Sequence, residues 1–176
     1  MILICGTPGT GKTLLAKKLA EYGFEIVHLS ELVIREKLYL NYDEARQSFV
    51  INPKKLIKKL VELEKKTKKP LIVEGIGAEL VPKKYVDLCI VLICEPKELQ
   101  KRLEAKGYST DKIEENLEAE RINLIWGEAL DKYGEENVVV LDTTNLSAEA
   151  LANIVLKEFK KRGLFKESDD ECDLKK

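Results

Sequence analysis

Short apolar runs alternate along this chain with stretches in which apolar residues recur every three or four positions. Residues 2–5, 71–74, 87–94 and 138–141 read as buried strands, and 25–29 as a further one. The run at 87–94 is almost wholly apolar, the pattern of a strand covered on both faces. Between the strands lie helical patterns. Residues 13–21 carry Leu14, Leu15 and Leu19 as an apolar side, and the helix after Asn52-Pro53 carries Leu56, Ile57, Leu60, Val61 and Leu63. The last helix turns Leu151, Ile154, Val155 and Phe159 inward. Alternating strands and helices predict an α/β fold with a mostly parallel sheet.

Punctuation residues bound the elements. Ser30 is placed to cap a short helix running toward Leu38, Asn52 to cap a helix with proline at its first position, and Ser147 to start the last. Pro96 opens a helix that Gly107 closes, Thr110 caps a long helix running to about Tyr133, and Gly134 and Gly163 act as stops. Residues 39–52 read as irregular and polar. The charged tail 166–176 reads as a mobile appendage to one domain spanning 1–165.

Composition narrows the class. Of the 176 residues 44% are hydrophobic and 35% charged, which suits a folded domain, and a net charge of −1 implies no bulk attraction to nucleic acid or membrane. No apolar run approaches the roughly 20 residues of a membrane helix, and the amino-terminal run enters a glycine loop instead of reading as a signal peptide. Cys5, Cys89, Cys94 and Cys172 form no C-x-x-C pair. They read as reduced thiols of a cytoplasmic protein rather than a metal or disulfide set.

The chemistry centres on Gly6-Thr7-Pro8-Gly9-Thr10-Gly11-Lys12-Thr13, which fits G-x-x-x-x-G-K-[ST] between a strand and an amphipathic helix. A chance match in a chain of this length occurs on the order of once in a hundred, and the strand–loop–helix context makes it rarer. Glycines let backbone N–H groups close on phosphate oxygens, and the following helix adds its positive end. Lys12 is the expected partner of the β- and γ-phosphates of ATP, and the Thr13 hydroxyl the expected Mg²⁺ ligand. A second acid belongs at the carboxyl end of a neighbouring parallel strand. Glu74, Glu95 and Asp142 meet that condition and Glu74 is preferred, whereas Asp87 begins its strand at the wrong edge.

Other residues carry weaker signals. Arg102, Lys106 and Lys112 flank the turn at 107–110, either as a solvated helical hairpin or as a cationic lid over phosphates. His28 is the single histidine, more simply packed than catalytic, and Trp126 reads as core. Lysines 54, 55, 58, 59, 65, 66, 68 and 69 form a solvated helix face or an RNA-facing patch.

Taken together, these residues resemble the adenylate kinase isoenzyme 6 family over nearly the whole chain to about residue 162. The resemblance rests on Cys5 through Thr13, on Leu38-Tyr39 with Tyr42-Asp43-Glu44, on Arg102-Leu103-Glu104-Ala105-Lys106-Gly107-Tyr108, and on Lys112-Ile113 with Asn116 and Glu120. It implies a P-loop nucleoside-monophosphate-kinase-like sheet of five parallel strands flanked by helices, a monophosphate-binding region at about 30–53 and a short lid at about 104–114. On that mapping Gly6, Gly9, Gly11, Lys12, Thr13 and Leu14 line the ATP phosphates. Asn145 and Leu146 border adenine, and His28, Ser30, Tyr42, Asp43 and Glu74 attend the acceptor. Lys12, Lys106 and Arg102 serve catalysis, and Thr13 and Glu74 the metal. The implied activity is reversible transfer of the ATP γ-phosphate to AMP, with broad nucleotide tolerance and slow ATPase activity. The implied partners are a small-subunit ribosomal protein and pre-ribosomal RNA.

Two departures qualify the mapping. The family's acid-x-His element reads Glu74-Gly75-Ile76 here, which touches the hydrolytic half of the mechanism more than nucleotide binding. Lys106 also replaces a lid arginine, a point charge for a planar fork. Two rival readings stand beside nucleoside-monophosphate kinase: an ATP-dependent ribosome assembly factor with residual kinase activity, and a kinase of another small metabolite.

Overall fold

A computed structural model describes residues 1–44 and 48–165. Arg46, Cys172 and the tail 166–176 lie outside the described residues, and with them the expectation of a mobile appendage. The main sheet contains β1 (Ile2–Cys5), β2 (Ile26–His28), β5 (Ile72–Glu74), β6 (Leu88–Ile93) and β7 (Val138–Asp142), in the order β2-β5-β1-β6-β7 with every pairing parallel. This is the five-stranded parallel sheet the sequence implied. The helices are α1 (Lys12–Ala20), α2 (Leu29–Arg35), α3 (Pro53–Glu64), α4 (Pro96–Ala105), α5 (Thr110–Arg121), α6 (Leu124–Tyr133) and α7 (Ala148–Lys161).

Strand β1 shows why the sheet lies inside. Ile2 and Ile4 join Leu15, Leu19, Leu151, Val155 and Phe159 from α1 and α7. Leu3 and Cys5, pointing the other way, join Leu56, Leu60, Ala129 and Tyr133 from α3 and α6. Each fully buried aliphatic side chain contributes about 1.5–3 kcal/mol. A third, smaller cluster of Cys94, Leu99, Leu103, Ile113 and Leu117 lies between α4 and α5. The parallel arrangement sends the carboxyl ends of β1, β2, β5, β6 and β7 to one edge, where ligands of open α/β sheets bind. At the opposite edge Asp87 accepts from the Met1 ammonium at 2.6 Å, as its place at the start of a strand implied.

Several boundaries differ from expectation for local reasons. Residues 39–52 hold an antiparallel hairpin, β3 (Tyr39–Asp43) and β4 (Ser48–Ile51), instead of irregular chain. Its cross-strand aromatics supply the pairing: the Tyr39 and Phe49 rings lie 4.4 Å apart and Tyr42 meets Phe49 edge-on at 5.1 Å. Helix α2 begins at Leu29 with His28 as its cap position, so Ser30 sits inside the first turn. It stops at Arg35 because Lys37 turns left-handed, with φ 52°. Leu14 is 60% exposed, at the end of α1 that faces the ligand edge, and Ile154 is 39% exposed, so neither belongs to the core. Asn52 caps α3 as expected, accepting from the Lys55 N–H.

The long helix expected from Thr110 to Tyr133 is two helices. Ser109 occupies the cap position of α5, and Asn123 separates α5 from α6 in the left-handed region at φ 52°. Asparagine tolerates that conformation better than other residues with a Cβ. Trp126 is half-buried against the core on the α3–α6 face. Asn123→Gly is expected to unfold at the same or higher urea concentration than wild type, and Asn123→Val to lose about 1–2 kcal/mol. Equal stability of the two variants would contradict the left-handed break.

Candidate phosphate-binding site

Residues 6–13 leave β1 and enter α1 through a loop held by left-handed glycines. Gly6, Gly9 and Gly11 have φ of 137°, 92° and 102°. A Cβ on Gly6 would stand 2.3 Å from the Leu92 carbonyl oxygen, and one on Gly9 would stand 2.8 Å from Leu99 Cδ1. Close packing against backbone as well as φ requires glycine at residue 6, and φ favours it at residue 9, where the obstacle is a leucine methyl. The Lys12 ammonium donates to the carbonyls of Gly6 (2.7 Å) and Thr7 (3.0 Å), folding back over the loop. Burial pushes its pKa below the ordinary 10.5, against the pull of the nearby Glu74 charge.

Two polar contacts brace the loop from behind. The Thr7 hydroxyl donates to Glu120 Oε2 at 2.5 Å, and the Thr143 hydroxyl donates to the Thr10 carbonyl at 2.8 Å. Glu120 also accepts the Cys94 N–H at 2.7 Å. Neither brace was read from the residues themselves, although one signal existed. Ile113, Leu117 and Glu120 fall on one helical stripe, so a glutamate occupies a position the pattern reserves for an apolar residue. Thr143 gave no such signal, because its role depends on the end of β7 lying beside the loop.

The Glu74 carboxylate is buried at 5% exposure and stands where a strand-end acid was expected. Thr13 Oγ1 lies 3.4 Å from Glu74 Oε1, and His28 Nδ1 lies 2.5 Å from the same oxygen. His28 and Glu74 are register partners on β2 and β5, which accounts for the contact. The Asp142 carboxylate accepts from the Thr144 N–H and hydroxyl and so turns toward the β7–α7 loop, and Glu95 is an exposed residue whose backbone N–H donates to Thr144 Oγ1.

A cavity of about 960 Å³ opens above the loop. Its walls include Gly9, Gly11, Lys12, Thr13, Leu14, Ser30, Glu74, Arg102, Lys106, Tyr108 and Leu146, so most of the expected site residues meet there. Exposed Asn145 stands outside its lining, as do Gly6, His28, Tyr42 and Asp43. Arg102 is committed elsewhere. Its guanidinium pairs with Glu98 at 3.1 Å and donates to the carbonyls of Thr143 and Thr144, each at 3.0 Å. Lys106 is exposed at the turn between α4 and α5.

Cys5 borders this loop, yet it is no nucleophile. Its thiol lies 3.8 Å from that of Cys89, and that contact together with burial pushes its pKa well up, so it stays protonated. Cys94 is also buried and free. Among the described residues no cluster of three or more histidine, cysteine, aspartate or glutamate side chains could hold a metal, and no helix is long and apolar enough to cross a membrane.

A family model described as an AAA domain matches residues 2–123. Two archaeal proteins named "Putative adenylate kinase" are similar to this chain. That from Saccharolobus islandicus is 36% identical over 90% of this chain and 82% of its own length. That from Methanosarcina acetivorans is 40% identical over 89% and 84%. The Caenorhabditis elegans "Adenylate kinase isoenzyme 6 homolog" is 34% identical over 87% and 86%.

The chain belongs to the adenylate kinase isoenzyme 6 family.

Its fold extends further than the family. A shikimate kinase from Acinetobacter baumannii superposes with a TM-score of 0.61 at 17% identity, covering 93% of this chain and 94% of that one. Against the family's acid-x-His element, residue 76 is an exposed isoleucine, and the imidazole beside the acid comes from the neighbouring strand.

The position of Lys12 has a measurable consequence. Its folded-state pKa is lowered, so the unfolded chain holds the proton more tightly over the range just below 10.5, and stability rises with pH there. The unfolding free energy of wild type relative to Lys12→Met is therefore expected to shift in favour of wild type as pH is raised toward 10.5. A difference independent of pH would place the ammonium in solvent.

Proposed function

We propose that this protein is a nucleoside monophosphate kinase that transfers the γ-phosphoryl group of ATP to AMP. The observation that carries the reading is the glycine loop with Lys12 folded over its own carbonyls, beneath an open cavity walled by the hairpin residues Lys106 and Tyr108. The names of the relatives support the choice of a nucleotide as acceptor.

The loop amides and the positive end of α1 receive the ATP phosphates, and Lys12 exchanges two carbonyls for β- and γ-phosphate oxygens. The acceptor enters between α2 and the turn after β5, near Ser30, Glu74 and Gly75, with the β3–β4 hairpin on its outer side. Thr13 and Glu74, whose side-chain oxygens lie 3.4 Å apart, are the residues that would hold magnesium. When bound, the ion neutralises charge on the phosphate oxygens. Lys106 closes over the phosphates as the α4–α5 turn descends, excluding water. Positioning and charge stabilisation carry the in-line transfer, so no side chain need remove the acceptor's proton.

A second reading is supported by exposed apolar residues beside the acceptor region. Ile34 (54%), Leu40 (63%) and Tyr42 (48%) stand on α2 and β3, and Glu36 at the end of α2 pairs with Lys59 of the lysine-rich α3. In this reading the protein is a cytoplasmic assembly factor that hydrolyses ATP slowly while gripping a small-subunit ribosomal protein or its RNA. In the kinase, ADP formation from ATP and magnesium is expected to rise steeply with AMP and to fall by at least about 10³-fold in Lys12→Ala. A slow rate indifferent to AMP would favour the assembly factor. Glu74→Gln is expected to raise the magnesium concentration needed for half-maximal rate several-fold, and an unchanged titration would remove Glu74 from the metal site.

A further inference from the structure

The turn between α4 and α5 is not an independent flap. Its two helices share a small core of Leu99, Leu103, Ile113 and Leu117, and so form one stiff hairpin. The chain enters this hairpin at Cys94 and Glu95, beyond β6, and leaves it at the left-handed Asn123. Each leg is wired to the phosphate loop, α4 through its last turn and α5 near its base. From α4, Arg102 donates to Thr143, whose hydroxyl donates to the Thr10 carbonyl. From α5, Glu120 takes the Thr7 hydroxyl with one oxygen and the Cys94 N–H with the other. Glu120 is 8% exposed, and neither of these partners is a cation. It stands one turn before the break at Asn123.

We propose that Glu120 is a positioning residue that couples the phosphate loop to the α4–α5 hairpin. The inference rests on the phosphotransferase reading, and it assigns Glu120 no contact with substrate. A carboxylate is suited to the task because it accepts two hydrogen bonds at once, from the loop and from the end of β6. The conformation of the loop around Thr7 then fixes the angle at which α5 leaves the sheet. Filling the loop with phosphates holds Thr7 in place, Thr7 holds Glu120, and the hairpin settles over the cavity. Leu99 and Leu103 fill the space a Cβ on Gly9 would occupy, so the loop backs onto the hairpin's core and the same motion has a steric path.

The test uses the full chain with ADP and magnesium as the probe. Amide hydrogen exchange across residues 104–114 and nucleotide affinity are measured for wild type, Glu120→Leu, Thr7→Val and the double variant, beside steady-state kinetics. The expected wild-type result is slowed exchange of the hairpin on ADP binding. Each single variant should bind ADP within about fivefold of wild type, lose most of that protection, and show a 10–100-fold fall in kcat with KM for ATP changed less than about threefold. The double variant should be no worse than either single one, because both remove the same link. Multiplicative losses, or full hairpin protection in Glu120→Leu, would overturn the coupling while leaving the kinase reading intact. Wild type that binds no ADP would overturn both. Thr7→Val is the safeguard against misfolding, since it cuts the link without altering the buried carboxylate, and melting curves accompany each variant.

Discussion

The turn of the backbone through residues 6–13 is the constraint around which this structure is arranged. Three glycines at positive φ let the loop fold tightly without strain, but each has ample freedom to adopt other conformations, so something outside the loop must hold it in this one. The surrounding elements supply that hold. β1 is buried on both faces, Leu92 and Leu99 fill the room a Cβ would need, and Glu120 and Thr143 brace the loop from two sides. Lys12 completes the arrangement by resting on two loop carbonyls. The loop thus has the preorganised form of an anion-binding nest, with an ammonium held beside it.

The electrostatics of the site follow from topology. A parallel sheet gathers the carboxyl ends of its strands, so Glu74 of β5 comes beside Thr13 although 61 residues separate them in sequence. Register on the other side of β5 brings His28 onto the same carboxylate oxygen. The acid is thereby contacted by a hydroxyl and an imidazole in a nearly closed environment. Asp87, with the same chemistry at the other edge of the sheet, accepts from the Met1 ammonium instead.

What could be read in the sequence divides along the same line. Strand–loop–helix order, the glycine motif and the strand-end position of Glu74 are local patterns, and the fold follows them closely. The β3–β4 hairpin was hidden because its stability lies in cross-strand rings, which a scan along one segment does not see. The break at Asn123 was hidden because an asparagine inside an otherwise continuous apolar stripe gives weak warning of a left-handed turn. Arg102 was singled out for its charge, but its guanidinium serves the carbonyls of Thr143 and Thr144, a commitment that only the approach of β7 to α4 reveals. Glu120 entered through a resemblance, and its place on the buried stripe of α5 now gives it a physical reason.

The most direct measurement follows the labelled γ-phosphoryl group of ATP when protein, magnesium and AMP are mixed. A nucleoside monophosphate kinase places the label in the β-position of newly formed ADP, in amounts that depend on AMP and vanish when Lys12 is replaced. Label found only as inorganic phosphate, at a rate AMP does not change, would contradict the account.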